Sequence, residues 1–449
     1  MTYSRWATVE ELKSKLSPVS YDSKIKKSGI PMMYDDNNLY IKDDEAHSLV
    51  IGSTGSGKTQ SIMLPQLRLA IRAQESFVVH DVKGEIYDIL SGELKEQNYN
   101  TVVINLDNPT LGNNFNPLSL PYKLYKNNKN DKAIELLESI GYYFCCNETF
   151  NANIDPFWSN SAISLFVGLA LYLFKNANEE EVNISSLFNL VSEFEKLTDE
   201  VKKYSKTSPI YINLSNIILA PNETKGSIIS VFVQNMRSFI SRESLLKMLS
   251  LSNFDITDIQ KDKTALFIIS NNKLLSKRLT PLIIEECYYA AMSTNIKTRT
   301  LNIIIDGFEG LVPIKDFSNM LTLAIRSNIR FSVFIRSILE LRNAYGKEKT
   351  EILKIVFGNI VYLLANDTET LEDISKLCGN RQTENKVAPL ITIEELKLLK
   401  VFEVVILIPR IHPIKSKLLP DYKIDWKFSN ERIALKELEN NEIKTFSIK

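Results

Sequence analysis

His47-Ser-Leu-Val-Ile-Gly-Ser-Thr-Gly-Ser-Gly-Lys-Thr-Gln60 decides the reading of this chain. A short apolar run breaks into Gly52-Ser53-Thr54-Gly55-Ser56-Gly57-Lys58-Thr59. That octapeptide fits the phosphate-binding pattern Gly-x4-Gly-Lys-Ser/Thr. Its glycines let successive backbone N–H groups turn toward one point without a Cβ penalty, forming an anion cradle at the mouth of the next helix. Lys58 is expected on the β- and γ-phosphates of ATP, and the Thr59 hydroxyl on Mg²⁺.

Downstream, Gln60 to Ala73 carries a helical apolar pattern with Pro65 as a kink. Ser76 to His80 reads as a strand ending in Asp81-Val-Lys-Gly-Glu85. Glu85 to Leu94 is helical, and Thr101 to Asn105 is another strand. This alternation predicts a parallel sheet with crossovers, an α/β core of RecA-like P-loop NTPase type. Such sheets bind ligands at the carboxyl ends of their strands, where the phosphate loop and Asp81 to Glu85 both fall.

The pattern then changes. From Asp131 to about Met248 the spacing is helical, predicting an all-helical domain inserted in the core. The strand rhythm resumes at Thr264 to Ser270 and continues with Leu301 to Asp306, Ile329 to Ile335, Ile360 to Leu364 and Phe402 to Ile408. These runs are apolar on both faces, as central parallel strands are. A helix is expected from Pro281 to Met292. The expected boundaries are a polar, irregular leader over 1–45, with turns at Pro18, Gly29-Ile-Pro31 and Asp35 to Asn38, a nucleotide-binding domain over 46–125 and 261–449, and the helical domain over 126–260.

Bulk composition narrows the function classes. The 449 residues, 44% hydrophobic and 24% charged, are those of an ordinary globular protein. Lys plus Arg equals Asp plus Glu at 54 each, so no global basic field advertises nucleic acid. Four cysteines, 145, 146, 287 and 378, lack zinc-site spacing and point to a reducing compartment. Three histidines leave little for a histidine-based hydrolase. The start of the chain lacks the apolar core of a signal peptide. The greasy run Ile163 to Phe174 is shorter than the roughly twenty residues of a membrane span and reads as a buried helix. Lys123, Lys126, Lys129 and Lys132, with Tyr122 and Tyr125 interleaved, read as a solvated linker before a nucleic-acid contact.

Asp306 closes an apolar strand where such folds place the magnesium-binding acid. Hydrolysis needs one more group to orient or deprotonate water. Ring-forming translocases often supply a Glu directly after that Asp; here Gly307 follows. Glu309 is the nearest substitute, displaced by about 7 Å if the strand simply continues or brought in by a bulge at Gly307. Glu85 is the second candidate.

The order of motifs resembles the type IV coupling proteins of conjugation and type IV secretion, the TraG/TraD kind. Ser4-Arg-Trp-Ala-Thr8, Ile51 to Thr59, Asp81 to Glu85, Asn116-Pro-Leu118, Asp155-Pro-Phe-Trp158, Asn222 to Ser227, Ile325 to Ile329, Tyr345 to Glu348, Asn366 to Thr370 and Pro389 to Leu396 carry the likeness across nearly the whole chain. The resemblance implies an ATP- and Mg²⁺-dependent hexamer, or a mixed ring. It would receive a relaxase, relaxase–DNA complex, single-stranded DNA or secreted protein and pass it to type IV secretion channel components at the cytoplasmic face of the membrane. It also implies that Arg326 is an arginine finger reaching a neighbour's nucleotide. Three departures from the family stand out: Gly307 replaces its Glu, Arg336 and Glu340 replace two Gln, and its transmembrane hairpin has no counterpart here, so anchoring is expected through a partner. A hydrolysis-impaired receptor or scaffold is the alternative reading.

Overall fold

The structure, a computed structural model, describes residues 3–20, 25–35, 38–145, 155–271, 273–294, 298–382, 386–429, 431–439 and 442–449. Cys146 of the adjacent-cysteine pair, and Asp36 and Asn37 of the expected turn, lie outside the described residues. The chain divides into two units. The first comprises Met1–Thr101, Asp258–Ile268 and Thr294–Ala434; the second comprises Val102–Thr257, Ile269–Ser293 and Leu435–Lys449.

The first unit opens on a short helix, Val9–Lys13, whose start is fixed by a reciprocal Thr8–Glu11 capping box. Next come strands β1 (Ser17–Ser20), β2 (Ile30–Tyr34) and β3 (Asn38–Lys42), an antiparallel sheet in the order β1-β3-β2. This corrects the expectation of an irregular leader. The strands are only four or five residues long and carry Pro18 and Pro31. Val19, Leu39 and Ile41 nevertheless bury against Leu69, Ile424 and Trp426.

The central sheet uses β4 (Ser48–Gly52), β5 (Ser76–Asp81), β6 (Asn100–Asn105), β7 (Thr264–Ile269), β8 (Leu301–Ile305), β9 (Ile329–Ile335) and β10 (Asn359–Leu364). A hairpin of β11 (Asn380–Gln382) and β12 (Val387–Pro389) follows, and β13 (Glu403–Leu407) and β14 (Ile414–Lys417) rejoin the sheet. The order is β14-β13-β10-β4-β9-β8-β5-β7-β6. Neighbours from β10 through β4, β9 and β8 to β5 are parallel, while β13 and β14 are antiparallel additions. Strands β4, β5, β7, β8 and β9 are buried along their whole length, because helices cover both faces of a parallel sheet. Beneath it Arg68 pairs with Glu93 and with Asp421 at 2.9 Å, all three buried.

The second unit is built around the helix Pro156–Asn176, which packs on Asn130–Cys145 and Pro209–Ile218. By length and composition that helix is apolar enough to cross a membrane, and most of it is buried inside the unit. The sequence run marking it looked shorter because Pro156 and the polar first turn belong to the same helix. Gly168 lets the neighbouring helix close in: a Cβ there would lie 2.5 Å from Leu214 Cγ. Tyr122 and Tyr125 of the basic stretch turn their rings onto Phe174, and Lys123 pairs with Asp255, so its first half is a packed helix, Ser119–Lys126, while exposed Lys129 lies in the short connection and exposed Lys132 in the next helix, Asn130–Cys145. Leu274–Ser293 is also one helix, with Pro281 inside it rather than at its start. The last residues strap onto the unit: Asn183 donates to the Lys444 carbonyl at 2.8 Å, and the Phe446 N–H donates to Ser186 Oγ at 2.9 Å.

Candidate nucleotide site

Every residue of the candidate site belongs to the first unit. Strand β4 delivers the chain to the loop, and the Ser53 N–H is tied to the Leu364 carbonyl of β10 at 2.7 Å. Gly55 and Gly57 take φ of +81° and +95°, the left-handed region in which glycine is at ease. A Cβ on Gly52 would lie 2.5 Å from Ser56 Oγ and 3.0 Å from Lys58 Cγ, so a side chain here would displace the loop's own side chains. The helix after Lys58 begins with a π turn, the Leu64 N–H reaching back to the Thr59 carbonyl. Pro65 lacks the N–H that an α turn would aim at Ser61, which accounts for the widened turn. It also replaces the expected kink.

Lys58 is largely buried, and its ammonium donates to the Gly52 carbonyl and to the Ser53 carbonyl at 3.3 Å. Burial lowers its pKa, while Asp306 and Glu309 pull it back up. Ser56 Oγ is buried without a hydrogen-bond partner among the described residues. An orphaned hydroxyl beside a lysine that, among the described residues, is held by loop carbonyls alone fits a cradle shaped for an anion, since phosphate oxygens can satisfy both.

Asp306 follows the last residue of β8. Burial raises its pKa, opposed first by Lys58 and then by the Gly307 N–H. His80 Nδ1 donates to the Asp306 carbonyl at 2.6 Å. Among the described residues no group of three His, Cys, Asp or Glu could hold a metal. Thr59 and Asp306 alone suit Mg²⁺, which keeps waters and phosphate oxygens as its other ligands.

Gly307 neither continues the strand nor bulges. At φ 62°, ψ 37° it starts a tight turn, Phe308–Gly310. Phe308 stacks on Tyr345, ring centroids 5.2 Å apart, and anchors that turn. Glu309 is thereby folded back, its side chain 2% exposed. One carboxylate oxygen accepts from Arg336 Nε at 2.8 Å and from the Arg336 N–H at 3.3 Å; the other is buried without a donor among the described residues. Arg336 also pairs with Glu340 at 2.7 Å. Burial raises the pKa of Glu340, Arg336 lowers it and Glu309 raises it again.

The strand order explains the cluster. Strand β9 lies between β4 and β8, so Arg336 at its carboxyl end stands between the phosphate loop and Asp306. The contact between Glu309 and Arg336 escaped sequence reasoning because it depends on that order.

Glu85 is placed differently. Its exposed carboxylate opens the helix Glu85–Glu96 and lies 3.8 Å from the ammonium of Lys83, also exposed. Asp81 does the local structural work, accepting from the Tyr87 N–H at 2.9 Å and the Lys83 N–H at 3.4 Å. Arg326 is exposed in the turn Ile325–Ser327. It precedes β9, so it sits at the opposite edge of the sheet from Lys58, about 20 Å away along the strand.

A phosphate loop, a strand-end acid and a buried glutamate on a central parallel sheet define a RecA-like P-loop NTPase core. The chain belongs to the type IV secretory system conjugative DNA transfer family, whose model matches residues 5–387. It is thus a type IV coupling protein. Solved structures share the fold. Plasmid coupling protein TrwB in complex with the non-hydrolysable ATP analogue ADPNP aligns over 97% of each chain at 16% identity and a TM-score of 0.72. TrwB in complex with ADP and Mg²⁺ gives the same figures, 97% of each chain, 16% and 0.72. VirB4 of Thermoanaerobacter pseudethanolicus covers 87% of this chain and 96% of its own at 11% identity and a TM-score of 0.55. None of the curated protein sequences matches this chain.

Proposed function

We propose that this chain is the coupling ATPase of a conjugative or type IV secretion system. It binds Mg–ATP and moves relaxase-bound DNA, single-stranded DNA or a protein substrate to channel components at the cytoplasmic face of the membrane. The observation that carries this reading is the convergence of Lys58, Asp306 and Glu309 at one edge of one sheet, beside the orphaned Ser56 hydroxyl. TrwB, of the same fold, is described with ADPNP and with ADP and Mg²⁺.

In this reading the N–H groups of Gly52 to Thr59 and the Lys58 ammonium hold the phosphates. Bound Mg²⁺ supplies charge neutralisation on the phosphate oxygens. Glu309 orients a water through its free oxygen; the water oxygen bonds to the γ-phosphorus as the bond to the bridging β–γ oxygen breaks, and the carboxylate takes the proton. Glu85 is too exposed for that task. Arg326, at the far edge of the sheet, serves the nucleotide of a neighbouring subunit in a hexamer or mixed ring.

Steady-state ATP hydrolysis tests this, with and without single-stranded DNA. Lys58→Ala abolishes binding, and Glu309→Gln keeps binding while lowering turnover by about 10²- to 10⁴-fold. Hydrolysis by the wild type no faster than by Lys58→Ala, with ATP binding intact, favours the second reading. In that reading the chain is a nucleotide-binding receptor whose Glu309 is retired by its ion pair to Arg336.

A further inference from the structure

We infer that the turn at Val401 and Phe402 is a shelf for the nucleotide's base, taking a purine by stacking; this rests on nucleotide binding at Gly52 to Thr59 as proposed above. Phe402 has φ of +70°, a left-handed conformation that bulky side chains seldom adopt and that marks stored strain. The Glu403 N–H donates to the Lys400 carbonyl at 2.8 Å, so Val401 and Phe402 are the central pair of a tight turn. Phe402 occupies the position that glycine fills when φ is positive there. The turn is held rigidly. The Lys400 N–H donates to the Glu403 carboxylate at 3.0 Å, and the Leu418 N–H donates to the Phe402 carbonyl at 2.8 Å.

That strained conformation puts the ring against the phosphate loop. A Cβ on Gly57 would fall 2.8 Å from Phe402 Cε1, so the ring and the glycine are fitted to each other. Topology brings the two together. Strand β13 runs antiparallel to β10 and β10 parallel to β4, so the turn before β13 and the loop after β4 share an edge of the sheet. The surroundings are apolar and face water: Leu398 is 79% exposed and Val401 59%. A nucleotide with its phosphates on the loop must carry its base beyond the loop's edge. The shelf offers a flat ring and apolar area, which suits the face of a purine.

Calorimetric titration of the full chain with Mg–ATP and, separately, with inorganic tripolyphosphate tests the shelf. Phe402→Gly removes the ring and relieves the turn; Phe402→Trp keeps an aromatic face. The expected result is an ATP affinity about ten-fold weaker in Phe402→Gly, the scale of one base–aromatic stack, with tripolyphosphate affinity unchanged and Phe402→Trp close to wild type. A melting temperature no lower than that of the wild type confirms that Phe402→Gly folds. Equal weakening of ATP and tripolyphosphate would make the ring a support for the phosphate loop and overturn the shelf, as would no change in either. A wild-type protein that binds neither ligand overturns the nucleotide reading itself.

Discussion

Asp81 is ionised against its surroundings, and replacing it with asparagine puts a number on that. The carboxyl ends β5 inside the first unit, and burial pushes its pKa up to about 6 although backbone N–H groups, that of Tyr87 foremost, favour the charged form. Against an ordinary 3.8 the rise is about two units, or about 3 kcal/mol at about 1.4 kcal/mol per unit. The sign follows from proton linkage. The folded state holds the proton more tightly, so this contribution is fully present below pH 3.8 and is lost as pH rises through about 6. The side-chain amide introduced by Asp81→Asn is a neutral acceptor that keeps the Tyr87 N–H bond and loses the titration. The variant should therefore match the wild type near pH 4 and exceed it progressively toward pH 7. For a unit of roughly 250 residues, 3 kcal/mol corresponds to about 5 to 10 °C in melting temperature. Thermal unfolding of both proteins at half-unit pH intervals from about 4 to about 7.5, the window that linkage sets, provides the assay. A melting difference that stays flat across that range would refute the reasoning.

Three further perturbations test other links. Arg68→Met strands the buried carboxylates of Glu93 and Asp421 and is expected to destabilise by about 3–5 kcal/mol in urea unfolding, whereas an exposed pair such as Lys202–Asp199 should give under about 1 kcal/mol. Gly168→Ala drives a methyl into Leu214 and should cost about 1–3 kcal/mol, with Leu214→Ala in the same chain recovering part of the loss in denaturant melts. Gly57→Ala meets both a φ of +95° and the Phe402 ring; fluorescent-nucleotide titration should show binding weakened at least ten-fold, and Phe402→Ala alongside it should restore little because the backbone strain remains.

Much of the first unit was legible in its sequence. Leu301 to Ile305 and Ile329 to Ile335 announce themselves because both faces of a covered parallel strand must be apolar. The phosphate loop is equally plain, since its glycines answer to local backbone geometry. The sheet of β1 to β3 was not legible. Its strands are too short for an alternating pattern to emerge, and they are completed by Ile424 and Trp426 from the other end of the chain. The start of Leu274–Ser293 was hidden by Pro281, a usual stop signal that this helix absorbs. At the candidate site, Lys58, Thr59 and Asp306 could be read from motif and strand end. The surroundings of Glu309 could not, because Arg336 is 27 residues away and reaches it only through the placing of β9.

Strand β9 has an arginine beyond each end, Arg326 three residues before its first residue and Arg336 directly after its last, and the seven strand residues between them are buried. In the proposed ring, the first arginine would touch a neighbour's nucleotide and the second would stand near the chain's own. A buried strand bends little, so the two guanidinium groups would behave as the ends of a stiff strut. A displacement at one nucleotide would then be transmitted to the next within the same movement, setting the firing order around the ring through the length of one strand.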